Sequence, residues 1–166
     1  EKPIYFAAVA APVEAMLVDS MEAPGRNLTG TTNLGPIAEH VDLLLQVVPD
    51  AQNIGTIYNS SEVNAQHQVD IATEVIEEKG LNHIVQSVTN TNDIAQVMTA
   101  LVNESDAILL VTDNTIDSSI SLVGDIGKEA GLALIGSSDS TINANGLATI
   151  SNSYFDYGVQ TADMVK

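Results

Sequence analysis

The sequence predicts an α/β fold built on a doubly wound parallel sheet, and three observations carry that prediction. Residues 107–111 (AILLV) form an apolar run without charge or breaker, the pattern of a strand buried on both faces of a parallel sheet. Segments of helical spacing separate it from comparable runs on either side, which implies right-handed βαβ units. Three of the runs end in polar clusters: Asn59-Ser60-Ser61-Glu62, Thr112-Asp113-Asn114-Thr115 and, more weakly, Ser137-Ser138-Asp139. Ligands of open α/β sheets bind outside the carboxyl ends of the strands, so one functional edge lined by three polar loops is expected.

In chain order, residues 4–9 read as a strand and residues 12–21 as a helix with Val13, Met16, Leu17 and Met21 at helical spacing. Turn chemistry at 23–27 leads to an extended piece at 28–32 and a linker-like segment at 30–36, whose Pro36 suits the first turn of the next helix. That helix spans 37–48, with Ile37, Val41, Leu44, Leu45 and Val48 on one face, and Pro49 ends it. Strands at 54–58, 83–88, 107–111 and 132–135 then alternate with helices at 62–79, 92–102 and 115–130. Gly80 and Gly131 close two of those helices as C′ residues. An irregular polar segment at 137–145, an extended piece at 146–150 and a helix from Tyr154 to Lys166 complete the reading.

The chain has 166 residues, enough for one core of ordinary size and short for two complete domains. Aromatics are 4% and Trp is absent, so the core is expected from Val, Ile, Leu and Ala. No apolar run reaches the length of a membrane span. The first residues read as a strand and not as a leader, so a cytosolic or trimmed protein is expected. Five Lys and Arg stand against 22 Asp and Glu, a formal charge of −17. Nucleic acid and anionic membranes gain their protein partners through basic residues, so neither is an expected partner. Zero Cys removes thiol nucleophiles, thiolate metal sites and disulfides together.

Each polar cluster has a structural reading beside a functional one. Asn59, Ser60, Ser61 and Glu62 stand where an N-cap belongs, yet capping explains only one of them, and the same free N–H groups accept a carboxylate or phosphate. Asn114 or Thr115 could cap the following helix with Asp117 completing a capping box, whereas the functional reading has Asp113 accept from a ligand ammonium. A phosphoacceptor aspartate lacks the acidic pair needed for magnesium, and no EF-hand spacing exists. His40, His67 and His83 are far apart in sequence and read as surface or boundary residues, not metal ligands. There is no G-x-S-x-G, G-x-G-x-x-G or Walker loop, so neither a serine nucleophile nor a cofactor is expected. Asn27, Asn59 and Asn103 each begin a glycosylation triplet, a pattern frequent by chance.

Four stretches carry a resemblance: residues 4–14 (IYFAAVAAPVE), 27–31 (NLTGT), 54–62 (IGTIYNSSE) and 112–115 (TDNT). Together, in this order, they resemble the substrate-binding proteins of ABC transporters of the tryptophan/tyrosine type, whose fold is similar to the type I periplasmic binding proteins. The resemblance implies a Rossmann-like lobe at 35–146, the end of an N-terminal lobe at 1–34, and at 147–166 a crossover strand and helix returning to that first lobe. By length it implies a piece of such a protein, since the family's opening strands, lipoprotein signal and final strands are missing.

Carried over residue by residue, the resemblance implies a ligand carboxylate held by Ser60, Ser61 and the adjoining helix N-terminus. Asp113 and Asn114 would meet the ligand's amino group or side chain, Asn59, Glu62 and Thr115 would belong to the same edge, and Ser137 and Ser138 would form its rim. The loop 11–14 would come from the other lobe, with Ala11 where the family often has Asp. The implied protein is a non-catalytic, extracytoplasmic solute receptor that closes on a small ligand, an aromatic or related amino acid, and presents it to an ABC permease in the membrane. A ligand sensor for a regulator or kinase is the alternative, and an α/β enzyme a weaker one, because no convergent acid, base or nucleophile is evident. Replacing Ser61 and Asp113 is expected to weaken binding without lowering the melting temperature.

Overall fold

A computed structural model describes residues 2–151 and 153–165. The chain divides into two units, Pro36–Ser151 and a smaller one of Glu1–Gly35 with Asn152–Lys166. Among the described residues, no helix is long and apolar enough to cross a membrane.

In the smaller unit, β1 (Ile4–Phe6) pairs in parallel with β2 (Leu28–Gly30), Ile4 opposite Leu28 and Phe6 opposite Gly30. The helix expected at 12–21 does not form. One turn closes through Ala15 N to Ala11 O at 2.9 Å, and then Met16 enters the left-handed region at φ 56°. Arg26 holds that reversal by donating Nη1–H to Met16 O at 3.3 Å. The residues this loop buries are Ala10, Ala11, Pro12 and Val18, whereas Met16 of the expected stripe is 75% exposed, so the stripe as a whole does not face a core. The unit's own helix, Tyr154–Met164, begins at Ser153, whose hydroxyl accepts from Phe155 N–H at 3.2 Å. Its expected last residue, Lys166, lies outside the described residues.

The larger unit has the β/α order that the apolar runs demand: α1 (Ile37–Val47), β3 (Asn53–Asn59), α2 (Val63–Glu78), β4 (Asn82–Val88), a 3₁₀ turn at Thr91–Asp93 leading into α3 (Ile94–Glu104), and β5 (Ala107–Leu110). There follow α4 (Asn114–Asp117), α5 (Ile120–Glu129), β6 (Ala133–Gly136), α6 (Asp139–Asn143) and β7 (Ala148–Thr149). The sheet is wholly parallel in the order β4-β3-β5-β6-β7. Helices α1 and α2 lie on one face, α3 and α5 on the other. Gly80 and Gly131 follow α2 and α5 at φ +76° and +73°, the left-handed C′ conformation that glycine takes without strain.

Burial follows the strand alternation. Ile57, Ile108, Leu110 and Leu134 pack with Ile94, Met98, Leu101, Ile116 and Val123 on the α3/α5 side, and Tyr58 and Val111 pack with Ala65 and Val69 on the α2 side.

Four expectations for this unit change. The helix expected at 115–130 is two, because Ser118 Oγ bonds back to Thr115 O at 2.7 Å and Ser119 leaves the helical region. The segment expected to be irregular contains α6. Residues 147–151 do not return to the first unit: β7 pairs with β6, Ile135 opposite Ala148 and Gly136 opposite Thr149. His40 is no surface residue; it is 1% exposed, its Nε2 is 2.7 Å from Ile150 O, and burial lowers its pKa.

His83 is half-buried between two hydroxyls, Nδ1 2.7 Å from Thr73 Oγ1 and Nε2 2.9 Å from Thr56 Oγ1. Thr56 donates to Leu109 O at 3.0 Å and Thr73 to Val69 O at 2.8 Å, so both hydroxyl oxygens face the ring as acceptors. Burial lowers the His83 pKa from 6.5 to about 4. Its folded pKa lies below the unfolded one, so the unfolded chain binds the extra proton between those values. That contribution is complete above pH 6.5 and is lost as the pH falls to 4. Chemical denaturation across this range should therefore show the wild type losing at most about 3 kcal/mol relative to His83→Gln.

A close approach gives a second test. A Cβ on Gly124 of α5 would overlap the Ala144 carbonyl, whereas one on Gly158 of the Tyr154–Met164 helix meets open space. Gly124→Ala should cost about 1–3 kcal/mol in thermal unfolding, and Gly158→Ala should add about 0.5–1 kcal/mol.

Candidate functional site

The strand order brings β3 and β5 side by side although β4 and two helices separate them in sequence. The connections from these two strands diverge, which makes their carboxyl ends the topological switch point of the sheet. Asn59 ends β3, and residues 111–113 link β5 to α4.

At that point each loop extends a carboxylate into the other. Asp113 Oδ2 accepts from Asn59 N–H at 2.6 Å and its Oδ1 from Ile116 N–H at 2.9 Å, the second bond being the N-cap of α4. Glu62 reaches the opposite way. Its Oε2 accepts from Asn114 N–H at 3.0 Å and Asn114 Nδ2 at 2.7 Å, and its Oε1 from Thr115 N–H at 3.0 Å and Thr115 Oγ1 at 2.8 Å. Asn59 adds Nδ2 to Thr115 Oγ1 at 2.7 Å and turns its Oδ1 back to Ser61 N–H at 2.9 Å.

The electrostatics follow from those partners. Partial burial alone would raise the pKa of Glu62, but the donors of Asn114 and Thr115 outweigh it and hold the pKa below the usual carboxylate value. Asp113 has no exposed surface, and burial raises its pKa against the pull of the Asn59 and Ile116 N–H groups, with the Glu62 charge adding to the rise. Asp117 is raised by burial, opposed by Ser140, whose hydroxyl donates to its Oδ1 at 2.9 Å.

The predicted residues thus separate by exposure. Ser60, Ser61 and Asn114 are exposed; Glu62, Thr115, Ser137 and Ser138 are half-buried; Asn59 and Asp113 are buried. The third loop joins through hydroxyls: Ser137 Oγ lies 2.9 Å from Thr112 Oγ1, and Ser138 Oγ 2.5 Å from Ser140 Oγ. Ala11 lies in the other unit, buried. Gln68 was absent from the sequence reading. It is fully buried in α2, where its amide donates to Thr112 O at 3.1 Å and accepts from Thr112 N–H at 3.1 Å. The signal for it was a polar residue inside the apolar stripe Ala65, Val69, Ala72, Ile76.

Chemically this edge offers hydroxyl and amide donors and carboxylate acceptors. Lys79 and Lys128 are the two cationic side chains of Pro36–Ser151; they bond Asp42 and Asn145, outside this cluster. An anionic ligand group would therefore meet neutral N–H and O–H donors here.

The model of one family, described as ABC transporter substrate binding protein, matches residues 1–166. The chain belongs to that family. Among curated relatives of this ABC substrate-binding chain, a tyrosine-binding protein of Clostridioides difficile is 32% identical over 162 residues, which are 98% of this chain and 47% of the relative. Two solved structures are also 32% identical over 98% of this chain and 55% of theirs. One is the ABC domain from Streptococcus pneumonia in complex with L-Trp, at a TM-score of 0.92; the other is a conserved domain protein from Vibrio cholerae, at 0.93. The chain spans about half the length of the relatives it matches. A periplasmic binding protein/LacI regulator and a LacI-family regulator, 15% and 13% identical, share the fold alone and identify it as the type I periplasmic-binding-protein class.

The geometry of Asp113 corrects the expectation that its replacement leaves stability untouched. Asp113→Asn removes one acceptor and turns an amide donor toward a buried N–H, so thermal unfolding should show a loss of about 1–3 kcal/mol.

Proposed function

We propose that this chain is part of the extracytoplasmic solute-binding component of an ABC importer. The component holds an aromatic or related amino acid and passes it to a membrane permease without chemical change. The polar edge of Pro36–Ser151 is the ligand face in this reading. Ser60, Ser61 and Asn114 touch the ligand, Ser137 and Ser138 line the rim, and Asn59, Asp113 and Thr115 set the positions of the contacting groups. The observation that carries the reading is the set of exposed, uncharged donors at the switch point of the sheet, on a support fixed by two carboxylates.

The family supports transport over catalysis, and the relatives named for tyrosine and crystallised with L-Trp support an aromatic amino acid. Among the described residues the Ser61 hydroxyl has no hydrogen-bond partner that competes with this use, and its backbone N–H is held by Asn59.

Calorimetric titration of the complete protein tests the reading. L-tyrosine or L-tryptophan should bind with higher affinity than L-alanine or L-glutamate, and Ser61→Ala should weaken that binding by about tenfold with little change in melting temperature. Absence of heat with any aromatic amino acid, or unchanged affinity in the variant, would overturn it.

A further inference from the structure

Asp113 has both carboxylate oxygens engaged, and Glu62, another predicted ligand contact, has both of its own oxygens engaged too. Each Glu62 oxygen accepts two hydrogen bonds, from the backbone and the side chain of one residue: Asn114 on Oε2 and Thr115 on Oε1, all between 2.7 and 3.0 Å. These partners lie 52 and 53 residues further along the chain, on the loop that follows a different strand. In the opposite direction Asp113 reaches from that loop to Asn59 N–H. A short carboxylate acting at an N-terminal turn this way, with ionic acceptors on neutral donors, makes stronger and shorter bonds than neutral pairs do.

We infer that Glu62 is a positioning residue: it does not touch the ligand but clamps Asn114 and Thr115 in the orientation that the ligand meets. This rests on the reading of the polar edge as the ligand face. The clamp works by removing alternatives. Residues 114 and 115 open the four-residue helix α4, which is too short to hold itself in place. Tying both its first N–H groups to the loop after β3 restricts the two loops to a common set of conformations. The ligand then finds the donors already arranged, and the cost of ordering them on binding falls. Without the clamp the apparent affinity drops by the fraction of time the loop is correctly placed.

Glu62→Gln in the complete protein keeps the size of the side chain but places an amide N–H against the donors of one neighbour. Glu62→Asp keeps the charge but shortens the reach by a methylene. Two quantities are measured for each variant: affinity for L-tyrosine and L-tryptophan by calorimetry, and hydrogen exchange of the Asn114 and Thr115 amides in the ligand-free protein. Both variants should lose about tenfold or more in affinity, and exchange at those two amides should accelerate by a similar factor while amides of β3 and β5 keep their protection. A residue with a purely structural role would instead speed exchange throughout the unit. Unchanged affinity with faster exchange overturns the positioning role and leaves the ligand face standing. Lost affinity with unchanged exchange makes Glu62 a direct contact and overturns it too. If the wild type binds neither amino acid, the ligand-face reading falls, and this inference with it.

Discussion

A carboxyl group without exposed surface must find donors inside the protein, and the rest of the polar edge depends on where Asp113 finds them. One oxygen starts α4 by capping Ile116, and the other reaches across to the backbone of Asn59 at the end of β3. Fixing that distance brings Asn59 under Thr115 and Glu62 within reach of two further N–H groups. A chain with 22 acidic and five basic side chains has few cations with which to neutralise carboxylates. It uses backbone N–H groups instead. Asp106 does the same at the opposite edge of the sheet, where its Oδ2 accepts from Gln52 and Asn53 N–H at 2.9 and 2.8 Å. The ion pairs Arg26–Asp19 and Lys79–Asp42 are at the surface and contribute little beside these.

The β/α succession was legible in the sequence because strands buried on both faces have no polar side to disguise them. Residues 107–110 and 133–136 are buried at every position, and their runs stand out between helices. What failed was reading by period alone. Val13, Met16, Leu17 and Met21 have helical spacing but no surface to cover, and a left-handed Met16 ends the turn. The break at Ser118 and Ser119 is a competition between side-chain and backbone acceptors, which apolar spacing does not register. His40 read as a surface or boundary residue because its partner, the Ile150 carbonyl, is 110 residues away.

The polar edge was legible to a similar depth. The identities of its residues followed from their position after buried strands, and the structure does gather Asn59, Glu62, Asp113, Asn114 and Thr115 into one hydrogen-bonded cluster. The division of labour among them was not visible. Whether a carboxylate faces solvent or a neighbouring backbone depends on contacts spanning more than fifty residues, and a linear pattern of Ser, Asn and Asp contains no such information. Gln68 is the clearest case: only its place among buried alanines and valines hints at the Thr112 backbone it holds.

The order of strands has a kinetic side as well. Strands β3 and β4 with α2 between them form a local βαβ unit, closed over a short stretch of chain. The pairing of β3 with β5 is different, because Ile54 meets Ala107 only after the intervening segment has been brought round to the other side. Closing that loop costs entropy before any contact repays it, and such non-local pairings slow folding. The switch point and the delay have one origin: the reversal in strand order that sets β3 beside β5 also makes their shared edge depend on a non-local pairing.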